Sequence, residues 1–165
     1  MTSNIFEINY NGTGASQSNN ALGMREMQER VYAKRTSQHL LIKAPPASGK
    51  SRALMFIALD KLHAQGLKKA IIAVPERSIG KSFRSTKLTE YGFYWDWEVL
   101  PKNNLTEQGT SKSKVKQFVD FMHSESPDDR VLICTHATLR FAFEQLADSD
   151  FNDVLLAIDE FHHVS

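Results

Sequence analysis

The chain has 165 residues, the length of one domain with enough interior to fold without cross-links, and its 41% apolar and 24% charged residues are ordinary globular values. A net charge of +1 points to no charged partner, although a basic patch need not show in the sum. The single Cys134 excludes a disulfide framework and suits a reducing cytoplasm, where the protein is expected; no apolar run nears the roughly 18 residues of a membrane span, and no secretory signal opens the chain.

Residues 5–10 read as a short strand and residues 9–20, rich in Asn, Ser and Gly, as part of a flexible arm over 1–20. Leu22, Met24, Met27, Val31 and Tyr32 recur at helical spacing and predict a helix over 21–35. The run His39-Leu40-Leu41-Ile42-Lys43 is a short buried strand, and a helix is expected from 50 to 64. Ala70-Ile71-Ile72-Ala73-Val74 is a second buried strand, stopped by Pro75, with a helix through Ile79 and Phe83. The aromatic alternation of residues 93–100 predicts a strand, and the polar stretch 102–113 an exposed loop. A helix over 115–123, a strand over 130–134, a helix over 137–146 and a strand over 154–158 complete the order. Alternating strands and helices imply an α/β fold with a mainly parallel central sheet and helices on both faces. No repeat is evident, and the Cys/His spacing offers no structural zinc site.

Between the first buried strand and its helix stands Ala44-Pro45-Pro46-Ala47-Ser48-Gly49-Lys50-Ser51. It fits the phosphate-binding loop G-x-x-x-x-G-K-[ST], with Ala in place of the first Gly. Backbone N–H groups of Ala47, Ser48 and Gly49 and the N-terminus of the next helix would serve the phosphates, with Pro46 lining the loop. Pro45 and Pro46 remove two N–H groups early in it, where fewer phosphate contacts are expected. Gly49 allows close approach of the backbone, Lys50 brings a point charge to the terminal phosphates, and the Ser51 hydroxyl is a ligand for Mg²⁺. The alternative is a Pro-rich strand-to-helix turn with an incidental Gly-Lys-Ser.

Asp159-Glu160-Phe161-His162 directly follows the apolar run 154–158. Acids at the C-terminal end of a parallel strand face the crevice where ligands of open α/β sheets bind. Asp159 there can hold Mg²⁺, through water, and Glu160 can orient the attacking water. The alternative is a helix N-cap with a favourable acid in its first turn. His162 and His163 are adjacent, point differently from one backbone, and do not make a metal pair.

These residues resemble the superfamily 2 helicases and translocases of the DEAD/DEAH type. Ala44 to Ser51 is similar to their motif I, A-x-T-G-S-G-K-T, and Asp159-Glu160-Phe161-His162 to motif II in its D-E-x-H form, which places His162 among the catalytic residues with Lys50, Asp159 and Glu160. Met24-Arg25-Glu26-Met27-Gln28 resembles the R-x-x-Q segment of the branch containing restriction-enzyme motor subunits and repair helicases. The resemblance implies that Gln28, with Arg25 beside it, reads the adenine edge of ATP. Val74-Pro75-Glu76-Arg77 resembles motif Ia, with Glu76 where Thr is usual, and Cys134-Thr135-His136-Ala137-Thr138-Leu139 resembles motif Ib. Contacts to nucleic acid are thereby implied at Arg77, Thr135 and Thr138.

The family further implies a RecA-like three-layer sandwich as the first of two such domains. ATP binds between the two, and the second supplies arginine fingers. Residues 21–165 would be that first domain, ending after motif II, and weakly active without its partner. The expected function is the ATP-binding half of an ATP-dependent nucleic-acid helicase or translocase, with ATP and Mg²⁺ as cofactors and DNA ahead of RNA as the track.

Two basic clusters, Lys112, Lys114 and Lys116, and Arg77, Lys81, Arg84 and Lys87, could meet phosphates or form solvated helix faces. Trp95 and Trp97 could stack on bases or, in the usual role of aromatics, pack inside. The rival functions are a P-loop ATPase that remodels or moves protein, and a non-hydrolysing nucleotide switch. The four intact residues Lys50, Ser51, Asp159 and Glu160 argue against the switch.

Overall fold

The computed structural model describes residues 5–9, 19–107 and 111–160. They form two compact units: Met1–Gln65 with Thr86–Trp97, and Gly66–Ser85 with Glu98–Ser165. Both are α/β with parallel strands, the class that the order of elements implies. No helix among the described residues is long and apolar enough to cross a membrane.

In the first unit, strand β1 (Ile5–Asn9) runs parallel to β2 (His39–Lys43), with Ile5 opposite His39 and Asn9 opposite Lys43. Helices α1 (Glu26–Tyr32) and α2 (Lys50–His63) belong to the same unit. Met27 and Val31 of α1 lie four apart, so they share a face, which packs with Ile8, Ala53, Ile57, Leu40 and Ile42. Helix α1 is shorter than the periodicity over 21–35 predicts. Asn20 Oδ1 accepts from the N–H groups of Leu22 and Met24, both at 2.9 Å, and Gly23 takes a positive φ of 75°. This local turn competes with helix until Glu26.

Residues 93–100 are not a strand. The buried members are Phe93 and Trp97, four residues apart, and only a single antiparallel bridge forms, between Thr86 and Trp97. The aromatic rings pack on neighbouring helices instead of a pleated face. Phe93 meets Phe56 edge-on with centroids 4.6 Å apart, and Trp95 stacks on His63 at 4.8 Å. Of the two base-stacking candidates, Trp97 is therefore a core residue.

The second unit holds β3 (Lys69–Val74), β4 (Val131–Thr135) and β5 (Val154–Ile158), all parallel, in the order β4-β3-β5. Central β3 is buried along its length, as its continuous apolar run requires. Helices α3 (Ser111–His123) and α4 (His136–Phe143) contribute Val115, Phe118, Met122, Leu139 and Ala142 to a core with Ile71, Leu132 and Cys134. The helix expected after β3 is a 3-10 helix, Arg77–Phe83, carrying Gly80 at its centre, where glycine costs an α-helix about 1 kcal/mol.

The stretch 102–113 is not simply exposed loop. Asn103, Leu105 and Thr106 are buried, and the Leu105 N–H donates to the Ile133 carbonyl at 2.8 Å, beside β4. Helix α3 opens at Ser111, inside the segment expected to be loop. Positions 108–110 of that stretch and most of the N-terminal arm, residues 10–18, lie outside the described residues.

Candidate functional site

In the first unit, β2 ends at Lys43 and α2 begins at Lys50, so residues 44–49 bridge strand to helix. Two positive φ values fall two residues apart, Ala47 at 59° and Gly49 at 93°. Such changes of hand are how a short loop forms an anion-binding concavity. Gly49 is the N-cap of α2, with no side-chain cap and no acid in the helix's first turn. The first N–H groups of a helix need partners from outside it and favour anions. Ser48 Oγ is shielded from solvent and has no hydrogen-bond partner among the described residues. A phosphate-like group fits this combination of open helix terminus and unpaired hydroxyl. Lys50 and Ser51 stand half-buried in the first turn; Pro46 and Ala47 are exposed.

Helix α1 brings two of the sequence-predicted residues to the same loop. Gln28 is 3% exposed. Its Nε2 donates to the Gly49 carbonyl at 3.1 Å, and its Oε1 accepts from the Arg25 N–H at 2.8 Å. One amide hydrogen and one acceptor direction remain on Gln28 after those two bonds. A Cβ added at Gly49 would stand 2.5 Å from Gln28 Nε2 and 3.8 Å from the Arg25 guanidinium. Arg25, Gln28 and Gly49 are thus one cluster, and glycine is required where the amide rests on the loop. No sequence motif marks the Arg52 guanidinium, which lies 5.2 Å from the centre of the Tyr91 ring.

In the second unit, β5 delivers Asp159 one residue past its end. The Asp159 N–H donates to the Ala73 carbonyl at 2.8 Å, which continues the pairing with β3. The Asp159 carbonyl accepts from His136 Nε2, also at 2.8 Å. Glu160 follows with φ of 52°, a left-handed conformation that costs a side-chain-bearing residue about 1 kcal/mol. Asp159 and Glu160 are half-buried. Their oxygens are the hard donors that Mg²⁺ prefers, as is the Ser51 hydroxyl. His162 lies outside the described residues.

Thr135 is the N-cap of α4, where its Oγ1 accepts from the Thr138 N–H at 3.2 Å and lies 3.1 Å from Thr138 Oγ1. Thr138 is buried and spends its hydroxyl on this cap. Arg77 is exposed, and its Nε donates to the Thr106 carbonyl at 3.0 Å. The cluster of Lys112, Lys114 and Lys116 is not a uniform solvated face. Lys114 is buried, and burial, with the Arg77 charge adding to it, pushes its pKa down. Lys116 is paired with Asp120 at 2.7 Å. Among the described residues, no group of three or more His, Cys, Asp or Glu is placed to hold a metal ion.

The sequence also left unmarked a buried ionic network in the second unit. Lys69 Nζ donates to the carbonyls of Phe121, Ser124 and Asp129 at 2.8, 2.9 and 3.1 Å. The Asp129 carboxylate accepts from Ser124 Oγ at 2.6 Å and Asn103 Nδ2 at 3.0 Å and pairs with Lys102 at 3.0 Å. These partners, Ser124 and Asn103 first, hold its pKa at about 2. Both groups serve the fold.

Comparison with known proteins agrees with the motifs. The family described as DEAD/DEAH box helicase matches residues 25–165. The chain is 67% identical over 162 residues to YeeB of Bacillus subtilis (strain 168), named as a candidate ATP-dependent helicase; the match covers 98% of this chain and 26% of that protein. No solved structure matches. With the family spanning nearly all of its length, the chain belongs to the DEAD/DEAH box helicases.

Proposed function

We propose that this chain is the ATP-binding part of an ATP-dependent nucleic-acid helicase or translocase. One observation carries the nucleotide reading: Gln28 rests on the carbonyl of Gly49, at the uncapped start of α2, with Ser48 Oγ buried and unpaired beside it. Backbone N–H groups of residues 47–49 then donate to phosphate oxygens, beside Pro46, and Lys50 neutralises the terminal phosphates. The remaining donor and acceptor of Gln28 match the adjacent donor and acceptor on the edge of adenine, with Arg25 supporting the amide. Mg²⁺, when bound, neutralises phosphate charge, and the Ser51 hydroxyl and Asp159 carboxylate are the groups that would hold it, Asp159 through water. Glu160 orients the attacking water, and His162 completes the D-E-x-H set.

The family supports nucleic acid as the track; we place DNA ahead of RNA, with Arg77 and Thr135 at the contact, while Thr138, expected there from the sequence, is buried with its hydroxyl on the cap and stands behind them. The chain spans 26% of the relative's length, which supports a longer protein with a second RecA-like domain beyond residues 21–165. The single Cys134, buried and reduced, supports a cytoplasmic home. Calorimetric titration with Mg-ATP tests the nucleotide site. Lys50→Ala is expected to weaken binding at least about tenfold, a loss of about 1.4 kcal/mol or more. Unchanged affinity would remove the phosphate-loop assignment.

A further inference from the structure

Strands β4 and β5 flank β3, and neighbouring strands are about 4.8 Å apart, so the outer two are about 10 Å apart. At the C-terminal end of the sheet one side chain closes that span. His136, the first residue of α4 directly after β4, reaches the main chain of Asp159 directly after β5. A carbonyl oxygen only accepts, so His136 Nε2 carries the hydrogen of this 2.8 Å bond. Asp159 is therefore fixed from two directions. Its N–H is bound to Ala73 of β3, and its carbonyl to the start of α4. The strained φ of Glu160 comes immediately after this double anchorage.

The other end of the tether is equally well defined. Thr135, beside His136, caps α4, and its hydroxyl is joined to Thr138. The first turn of α4 is thus braced, and a load applied to it has a direct route to Asp159 through the imidazole. We propose that His136 is a positioning residue that couples nucleic-acid contact at the start of α4 to the acid pair Asp159 and Glu160. This rests on the helicase function proposed above. Displacements near 1 Å of reacting groups cost about 100-fold in rate, so one hydrogen bond that sets the backbone of the acid pair has the leverage required. Nε2 donates in both the Nε2–H neutral ring and the charged ring, so the tether does not depend on the imidazole's charge.

The test is ATP hydrolysis by the protein at its full natural length, with single-stranded DNA, duplex DNA or RNA added. His136→Ala is expected to lower the stimulated kcat about tenfold while KM for ATP stays within about twofold and the melting temperature holds. His136→Gln, whose amide N–H can donate to the same carbonyl, is expected to recover most of the stimulation. Stimulation of His136→Ala equal to wild type would overturn the coupling and leave the helicase reading intact. So would a parallel loss of kcat, ATP affinity and melting temperature that Gln fails to rescue, since that marks a residue needed only for folding. A wild-type protein that no nucleic acid stimulates would sink the helicase reading and the coupling together.

Discussion

Gly49 shows how tightly one residue is constrained when backbone and side chain compete for the same space. Its φ of 93° disfavours any residue with a Cβ, and the space a Cβ would fill holds the Gln28 amide. Gly49→Ala therefore carries two penalties: about 1 kcal/mol of backbone strain, and displacement of Gln28 from the carbonyl it binds. The expected outcome is a protein about 1–3 kcal/mol less stable in urea, with Mg-ATP affinity reduced at least about tenfold. Wild-type affinity in a folded Gly49→Ala protein would show that the loop tolerates a different geometry and that the Gln28 contact is dispensable. Glu160 presents the opposite arrangement, with a side chain retained at a φ of 52° where glycine would be more comfortable. Strain kept at a residue proposed to orient water is consistent with a carboxylate that chemistry needs and folding does not.

At the scale of elements, period and polarity decide what the sequence reveals. The strands β2 to β5 and helix α2 were legible because parallel strands read as unbroken apolar runs and the phosphate loop fixes where α2 begins, although β2 is half-buried with exposed ends rather than the buried strand expected. Residues 93–100 were misread because aromatic alternation does not distinguish a pleat from rings that pack sideways on helices. The polar stretch near 103 was misread because a buried Asn or Thr satisfied by neighbours has the same letters as an exposed one. Asp129 illustrates this: nothing in Asp128-Asp129-Arg130 shows which acid is inside, yet Asp129 joins the 3-10 helix Pro101–Asn103 to the turn after α3. Its pKa of about 2 lies below the unfolded value near 3.9. The proton therefore binds the unfolded chain more tightly, and the stabilisation from the carboxylate is present in full above about pH 4 and is lost between about pH 4 and 2. Asp129→Asn should cost about 1 kcal/mol at neutral pH, a modest figure because Lys102 is exposed and screened. Thermal melts of the two proteins from pH 7 to pH 2 should converge at the acid end. A gap that stays constant with pH would mean that the charge of Asp129 contributes nothing.

For the whole molecule, the two motif sets fall one to each unit. Residues proposed to bind nucleotide, Arg25, Gln28 and 46–51, belong to the first unit, and Asp159 and Glu160 belong to the second. Binding and hydrolysis should accordingly be separable by mutation. The phosphate-loop contacts are made to ground-state ATP, so they govern affinity, whereas a water-orienting carboxylate acts on the transition state and governs kcat. Glu160→Gln keeps the size of the side chain and removes its charge and basicity. In the protein at its full natural length, this variant should bind Mg-ATP within about twofold of wild type and lose about 100-fold or more of its hydrolysis rate, with or without nucleic acid. Lys50→Ala should instead fail at the binding step. If Glu160→Gln turned over at the wild-type rate, another group would have to position the water. If it lost affinity as severely as Lys50→Ala, Glu160 would be needed to hold the nucleotide in its ground state, and the separation of binding from hydrolysis would fail.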